Sequence, residues 1–262
     1  MMLWNFNGAA IMQPLYFYIL CRSQARVRDP TIPVNESKAI FLTTFAILLS
    51  PLLIFAPAWA AGTTTWDHHG YLAMFHYSPI VVTALFLAAA RILPAGAPEQ
   101  SAAAGGSREA YRASREPKRW IVASLALAGI VAAAAHVYVV VGALVTRDPD
   151  ASLARLFVPV RGTADPIGTL PASLASLAPE HAALLENFHL FSQYDWYVVS
   201  LSCVVFAHLL LSRRDGEEKT AAANPALTRV EGRELAYLSA ATVLLGPGAA
   251  GSFALAIREA RI

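Results

Sequence analysis

Phe188-His-Leu-Phe-Ser-Gln-Tyr-Asp195-Trp-Tyr-Val-Val-Ser-Leu-Ser-Cys-Val-Val-Phe-Ala-His-Leu-Leu-Leu211 is apolar enough to cross a bilayer, yet it holds a carboxylate well inside it. At about 1.5 Å per residue, a helix over 188–211 covers a hydrocarbon core of about 30 Å. A charged carboxylate at that depth costs roughly 2.5 kcal/mol or more. Asp195 is therefore paired, protonated or chemically employed.

The rest of the chain has the same character. Of 262 residues, 56% are hydrophobic and 15% charged, against roughly 25% charged in an average soluble domain. Mean hydropathy is +0.47. One soluble core cannot hide that much apolar surface, so the expected fold is an all-α polytopic transmembrane helical bundle with no soluble domain. Six apolar blocks, near 3–21, 40–60, 70–93, 120–145, 188–211 and 235–257, read as about six spans of a single domain over 1–262. The first block lacks a basic leading region and has polar residues in its middle, unlike a cleaved signal peptide. The lipid bilayer is the expected partner, and a net charge of +2 gives no reason to expect nucleic acid. Cys21 and Cys203 both fall in apolar stretches, with no disulfide framework and no metal-ligand spacing.

Loop charges orient the spans. Lys and Arg counts in the successive loops and tail are 4, 0, 6, 3, 5 and 2, the third including Arg91 at the very end of span three. By the positive-inside rule, 22–39, 94–119 and 212–234 face the cytosol, while both termini, 61–69 and 146–187 face the lumen or exterior. The sequon Asn35-Glu-Ser37 then lies in the cytosol. Residues 94–118 are low-complexity and read as a flexible tether. In 146–187, the segments 150–158 and 174–185 can lie amphipathically on the bilayer, either as a passive connector or as a lid over a cavity.

This orientation gathers polar residues at one depth. Asp195 and Gln193 in span five, His76 in span three, His136 in span four, and Asn5, Asn7 and Gln13 in span one fall in the lumenal part of their helices. That is about 10–15 Å below the surface at helical rise. Asp67, His68 and His69 cap the short loop above span three, and His208 stands apart near the cytosolic end of span five. Each polar residue alone reads as hydrogen-bonding glue between helices. Aromatic residues crowd the same region, among them Trp4, Phe6, Tyr16, Phe75, Tyr138, Tyr194, Trp196 and Tyr197. Interfacial belts account for many of them, but aromatic faces also stabilise cations. A desolvated carboxyl favours its proton-bearing form. An acid among apolar walls and π-faces suits protonation of an olefin or epoxide and passage through a carbocation.

Four stretches carry a family resemblance: Asn5-Phe-Asn-Gly-Ala-Ala-Ile-Met-Gln-Pro-Leu-Tyr-Phe-Tyr18, Ile32-Pro-Val-Asn-Glu-Ser-Lys-Ala39, Gln193-Tyr-Asp-Trp196 and Leu244-Leu-Gly-Pro-Gly-Ala-Ala250. The chain resembles the fungal integral-membrane terpene cyclases of meroterpenoid pathways, the ascofuranone and ascochlorin cyclase type. The resemblance implies a membrane enzyme of secondary metabolism, in the endoplasmic reticulum, that cyclises a prenylated aromatic or polyketide. It also implies more spans than six, so that a terminal helix is expected to be missing.

Other terpene chemistries require motifs that the sequence lacks. No Asp-Asp-x-x-Asp cluster is present to hold magnesium and diphosphate, and Asp148-Pro-Asp150 lies in a loop. No Asp-x-Asp-Asp acid motif is present either. The expectation is a terpene cyclase of isomerase or lyase type, without metal or cofactor, acting on a small lipophilic prenylated substrate. Asp195 is the candidate general acid, and Gln193, His76 and His136 orient it or take up the final proton. Asn5, Asn7 and Gln13 hold the substrate head group, and Trp196 contacts the substrate. The rival readings are a small proton-coupled transporter, a non-catalytic membrane scaffold, and a lipid acyltransferase with His136 as base, for which no acyl-donor signature is visible.

Overall fold

A computed structural model describes residues 9–23, 32–60, 62, 64–94, 115–147, 151–159, 178–212 and 232–261. Their regular structure is wholly helical: α1 (Ala9–Ser23), α2 (Val34–Leu49), α3 (Leu52–Trp59), α4 (Thr65–Ile92), α5 (Arg115–Val145), α6 (Leu153–Phe157), α7 (Pro179–Ser212), α8 (Gly232–Leu245) and α9 (Pro247–Arg261). The all-α expectation is met. Four segments are long and apolar enough to cross a membrane: Val34–Pro57, Trp66–Ile92, Arg115–Val145 and Glu180–Leu211. Large apolar side chains such as Leu85, Leu144, Leu201 and Val243 are exposed on the outer faces, as lipid contact requires. The tether expected at 94–118 falls mostly outside the described residues.

Proline and capping chemistry set the helix limits. Pro51 has no N–H to give to the carbonyl of Ile47. Ser50 Oγ donates to that carbonyl instead, at 2.9 Å, where α2 gives way to α3. α4 begins five residues before the expected span, because Thr64 and Asp67 form a reciprocal capping box. Asp67, His68 and His69 are thus its first turn rather than a loop.

The spans pack in a row. α1 lies on α7, α7 on α9, α9 on α5, α5 on α2, and α2 on α4, with α3 beside α4. Asn35 Nδ2 donates to Ala90 O at 2.6 Å, and Lys38 pairs with Glu116 at 2.9 Å. These contacts gather the start of α2, the end of α4 and the start of α5 at one end, the end that the loop charges assign to the cytosol. α1 runs parallel to α7: Ala10 meets Asp195, Gln13 meets Val199, and Phe17 stacks on Phe206 with ring centroids 4.1 Å apart.

The sixth apolar block, expected as a crossing helix, is instead a re-entrant hairpin. Leu238, eight residues before Gly246, and Ala254, eight after it, share one buried cluster with Ala207 of α7. A straight helix would hold them about 24 Å apart. Gly246 turns the chain with φ +87°, a value that favours glycine. The arms of 14 and 15 residues each reach only about 21–22 Å. Hydropathy alone could not show this, since a folded and a straight apolar block score alike.

Small residues let α9 approach α5. A Cβ built on Gly129 would come within 2.7 Å of Phe253 Cε1, and one on Gly248 within 3.2 Å of the Ala132 methyl. Van der Waals packing of small residues is what holds membrane helices together.

Two outcomes are expected. Gly129→Ala overpacks the α5–α9 contact by about 1–3 kcal/mol; it lowers the thermal midpoint in detergent, and adding Phe253→Ala restores part of the loss. A topology reporter placed after Ile262 reads out on the same side of the membrane as one inserted at 220, and opposite sides would rule out the hairpin.

Candidate functional site

At the end of the bundle opposite Asn35 and Glu116, α6 is strapped onto α7. A five-residue helix cannot satisfy its own final carbonyls. Here α7 side chains do so. Gln193 Nε2 donates to Arg155 O at 2.7 Å and to Val158 O at 3.2 Å. His189 Nε2 bonds Arg155 O at 2.8 Å, and Tyr197 Oη donates to Phe157 O at 2.6 Å. The Arg155 guanidinium pairs with Glu186. Residues 186, 189, 193 and 197 are spaced three and four apart, hence on one helical face. Of the segments expected to lie on the bilayer, the described residues 151–158 of the first are thus a fastened strap; 174–177 of the second lie outside the described residues, and the rest joins α7 from Pro179 onward.

Phe157 carries the strap into the bundle. Its ring lies 5.1 Å from that of Trp196 and 6.3 Å from that of His136, joining α5, α6 and α7. His136 in turn rests on the hairpin tip. Its Nε2 is 3.1 Å from Val243 O. That carbonyl is among the last four of α8, which ends at Leu245, so it has no helical donor, and Pro247 beyond the turn has no N–H to give. A carbonyl can only accept, so Nε2 carries the hydrogen. In the neutral ring, Nδ1 is left as an acceptor, and no described residue bonds it. Gly246 lies against the ring, where a Cβ would come within 2.8 Å of Cγ and 3.0 Å of Nδ1.

Asp195 faces α1. Its Oδ1 accepts from the Ala10 amide at 2.8 Å, one of the unpaired N–H groups in the first turn of that helix. Oδ2 has no partner among the described residues. Positions two apart on a helix diverge by about 200°, so Gln193 faces the strap while Asp195 faces α1. Gln13 is buried between α1 and α7, its amide nitrogen within reach of Val199 O, Ser202 Oγ and Cys203 Sγ at 3.0–3.2 Å. His76 lies on α4, at the far end of the row, with Nδ1 2.8 Å from Leu72 O of its own helix. Asn5 and Asn7 lie outside the described residues. The structure thus gathers His136 and Trp196 around Phe157, with Asp195 one residue from Trp196, and leaves His76 apart.

Several contacts of this region escaped the sequence reading, which named Tyr197 only as one of the aromatics and Gly246-Pro247 only within a family motif. Phe157, His189, Tyr197 and Glu186 are legible only through their helical spacing, and Val243, Gly246 and Pro247 only through a Gly-Pro pair inside an apolar block. His208, which stands apart near the cytosolic end of span five, is buried at 7% exposure, and its Nδ1 has no partner among the described residues. An apolar groove of about 740 Å³ runs along the outer face of α5 below the strap, lined by Ala134, Val137, Tyr138, Val141 and Leu156. Among the described residues, no three His, Cys, Asp or Glu side chains converge as a metal site would need.

The CtvD domain matches residues 1–262. The chain belongs to the CtvD-domain family. It is 52% identical over 262 residues to terpene cyclase DEP1 of Alternaria brassicicola, and equally to terpene cyclase DEP1 of Fusarium langsethiae. Each match covers this whole chain and 68% of the relative. No solved structure matches. The resemblance to fungal membrane terpene cyclases read from four short motifs is borne out along the full chain.

Replacing Gln193 by Leu and Tyr197 by Phe removes the side-chain donors of Val158 O and Phe157 O and leaves Arg155 O with His189 alone. Each lost hydrogen bond is worth about 1 kcal/mol, so trypsin cleavage after Arg155 is expected to quicken roughly tenfold or more. Unchanged cleavage would mean that these bonds do not hold α6.

Proposed function

We propose that this chain is a membrane terpene cyclase that protonates an olefin or epoxide of a lipophilic, prenylated aromatic or polyketide substrate, without a metal ion. The reading is carried by Asp195, a carboxyl in a membrane helix with one oxygen held by the Ala10 amide and the other without a partner among the described residues, one residue before Trp196 of the aromatic cluster. The full-length similarity to proteins named terpene cyclases supports it. In the proton-bearing state, Oδ1 accepts from the Ala10 amide and Oδ2–H faces the substrate. Protonation forms a C–H or O–H bond and leaves a cation or an opened epoxide. Trp196 and Phe157, whose rings lie 5.1 Å apart, offer π-faces to the positive charge, an interaction worth about 2 kcal/mol when desolvated. The groove along α5 gives an apolar bed for a prenyl chain, and Leu156 of the strap borders it. In this reading Asp195 works from the lumenal side of an endoplasmic reticulum membrane. Gln193 and Gln13 act through position rather than chemistry, since their amide nitrogens are engaged by backbone and side-chain partners.

Asp195→Asn separates acid from cap. The amide oxygen still accepts from Ala10 N–H, so the helix contact survives, while the transferable proton is lost. General-acid catalysis is worth about 10²–10⁴-fold. Microsomes carrying this variant are expected to lose at least two orders of magnitude in cyclisation of a farnesylated phenol at an unchanged protein level. Turnover within a few-fold of wild type would show Asp195 to be a cap only.

A further inference from the structure

We infer that the re-entrant tip at Gly246–Pro247 is a positioning device for His136, and that His136 is the base which ends the reaction. The inference rests on the cyclase reading above.

Three observations converge on this ring. α8 ends at Leu245 and the chain reverses at Gly246, so Val243 O is one of its last carbonyls and has no helical donor, and Pro247 has no N–H to offer it. His136 Nε2 fills that place across the α5–α8 contact, at 3.1 Å. This fixes the tautomer, because the acceptor is a carbonyl, and the lone pair therefore sits on Nδ1. Gly246 is the second element. Any side chain there would press on the imidazole, including a Cβ 3.0 Å from Nδ1, and the positive φ disfavours other residues besides. The third is the setting. The ring shares Phe157 with Trp196, the residue after Asp195 on α7.

The chemistry balances as an isomerisation. Asp195 supplies a proton at the start. At the end, a C–H bond next to the cationic carbon breaks, its electron pair becomes the new double bond, and the proton goes to Nδ1. The resulting imidazolium still donates from Nε2 to Val243 O. It then returns its proton to solvent, and the Asp195 carboxylate takes one up. Pro247 touches no reacting atom; it acts through His136.

The test uses the full chain in detergent with ¹⁵N-labelled histidine, the His136 signal being the one lost in His136→Gln. Wild type is expected to show a neutral ring protonated at Nε2. Pro247→Ala adds a backbone N–H at the turn that can compete with His136 for Val243 O, so the two tautomers should mix and kcat should fall at least tenfold with KM within twofold. In His136→Gln the amide can still bond Val243 O but cannot serve as base. Turnover of a farnesylated phenol should drop 10²-fold or more, and the residual product should shift from olefin to the water-quenched alcohol. An Nδ1-protonated wild-type ring, or an unaltered tautomer and turnover in Pro247→Ala, overturns the positioning role. His136→Gln making the wild-type olefin within a few-fold of the wild-type rate overturns the base. A wild-type chain that cyclises nothing while its Nε2 tautomer stands would overturn the cyclase reading and the base together, and leave the tip's hold on the ring intact.

Discussion

In hydrocarbon, a backbone amide or carbonyl with no partner costs several kcal/mol, and no water is present to relieve it. Each irregularity of this bundle answers to that constraint. Pro51 orphans the carbonyl of Ile47, and Ser50 supplies a donor from within the same helix. The end of α8 at the Gly246 turn orphans the carbonyl of Val243, and the donor comes from His136 on another helix. The first turn of α1 has an unpaired amide at Ala10, and Asp195 accepts from it. The strap α6 is too short to satisfy its carbonyls, and Gln193, His189 and Tyr197 do so.

These bonds link parts of the fold that have little else in common. Helix association in a bilayer gains little from the hydrophobic effect and relies on close packing and cross-helix hydrogen bonds of about 0.6–2 kcal/mol each. The glycines and alanines of the α5–α9 contact supply the packing. The polar side chains supply directional ties between α1 and α7, α7 and α6, and α5 and the hairpin tip. Polar residues gathered in one half of the bundle are thus explained without chemistry. Two of them nevertheless keep an atom that no described residue bonds. Asp195 has one oxygen bonded and His136 one nitrogen, whereas the amide nitrogens of Gln13 and Gln193 are wholly engaged. A side chain with two functional atoms can hold the fold with one and face a substrate with the other.

Much of the fold was legible in the residues. Apolar runs marked the helices, and alternating loop charges agree with the end at which Asn35, Lys38 and Glu116 meet. Boundaries erred outward: α4, α5 and α7 all begin before the hydrophobic run does, because a helix continues past the hydrocarbon wherever capping and hydrogen bonds allow. Of the candidate site residues, Asp195, His136 and Trp196 were legible as costly or aromatic groups at a shared depth. Their partners were not. Nothing in the sequence pairs Asp195 with Ala10, 185 positions away, or His136 with Val243, 107 positions away.

The sequence by itself determined that the chain is helical and membrane-borne, which residues are expensive to bury, and which family it belongs to. Those properties follow from composition and local order, since helix formation and lipid compatibility depend on neighbouring residues. Only the tertiary structure decided that Leu235–Ile257 folds back on itself, that Gln193 and Asp195 face different helices, and that His76 lies away from His136. A helix direction is local, but its rotation about its own axis and its neighbours are set by packing, and a single glycine with a positive φ can reverse a segment whose hydropathy does not change.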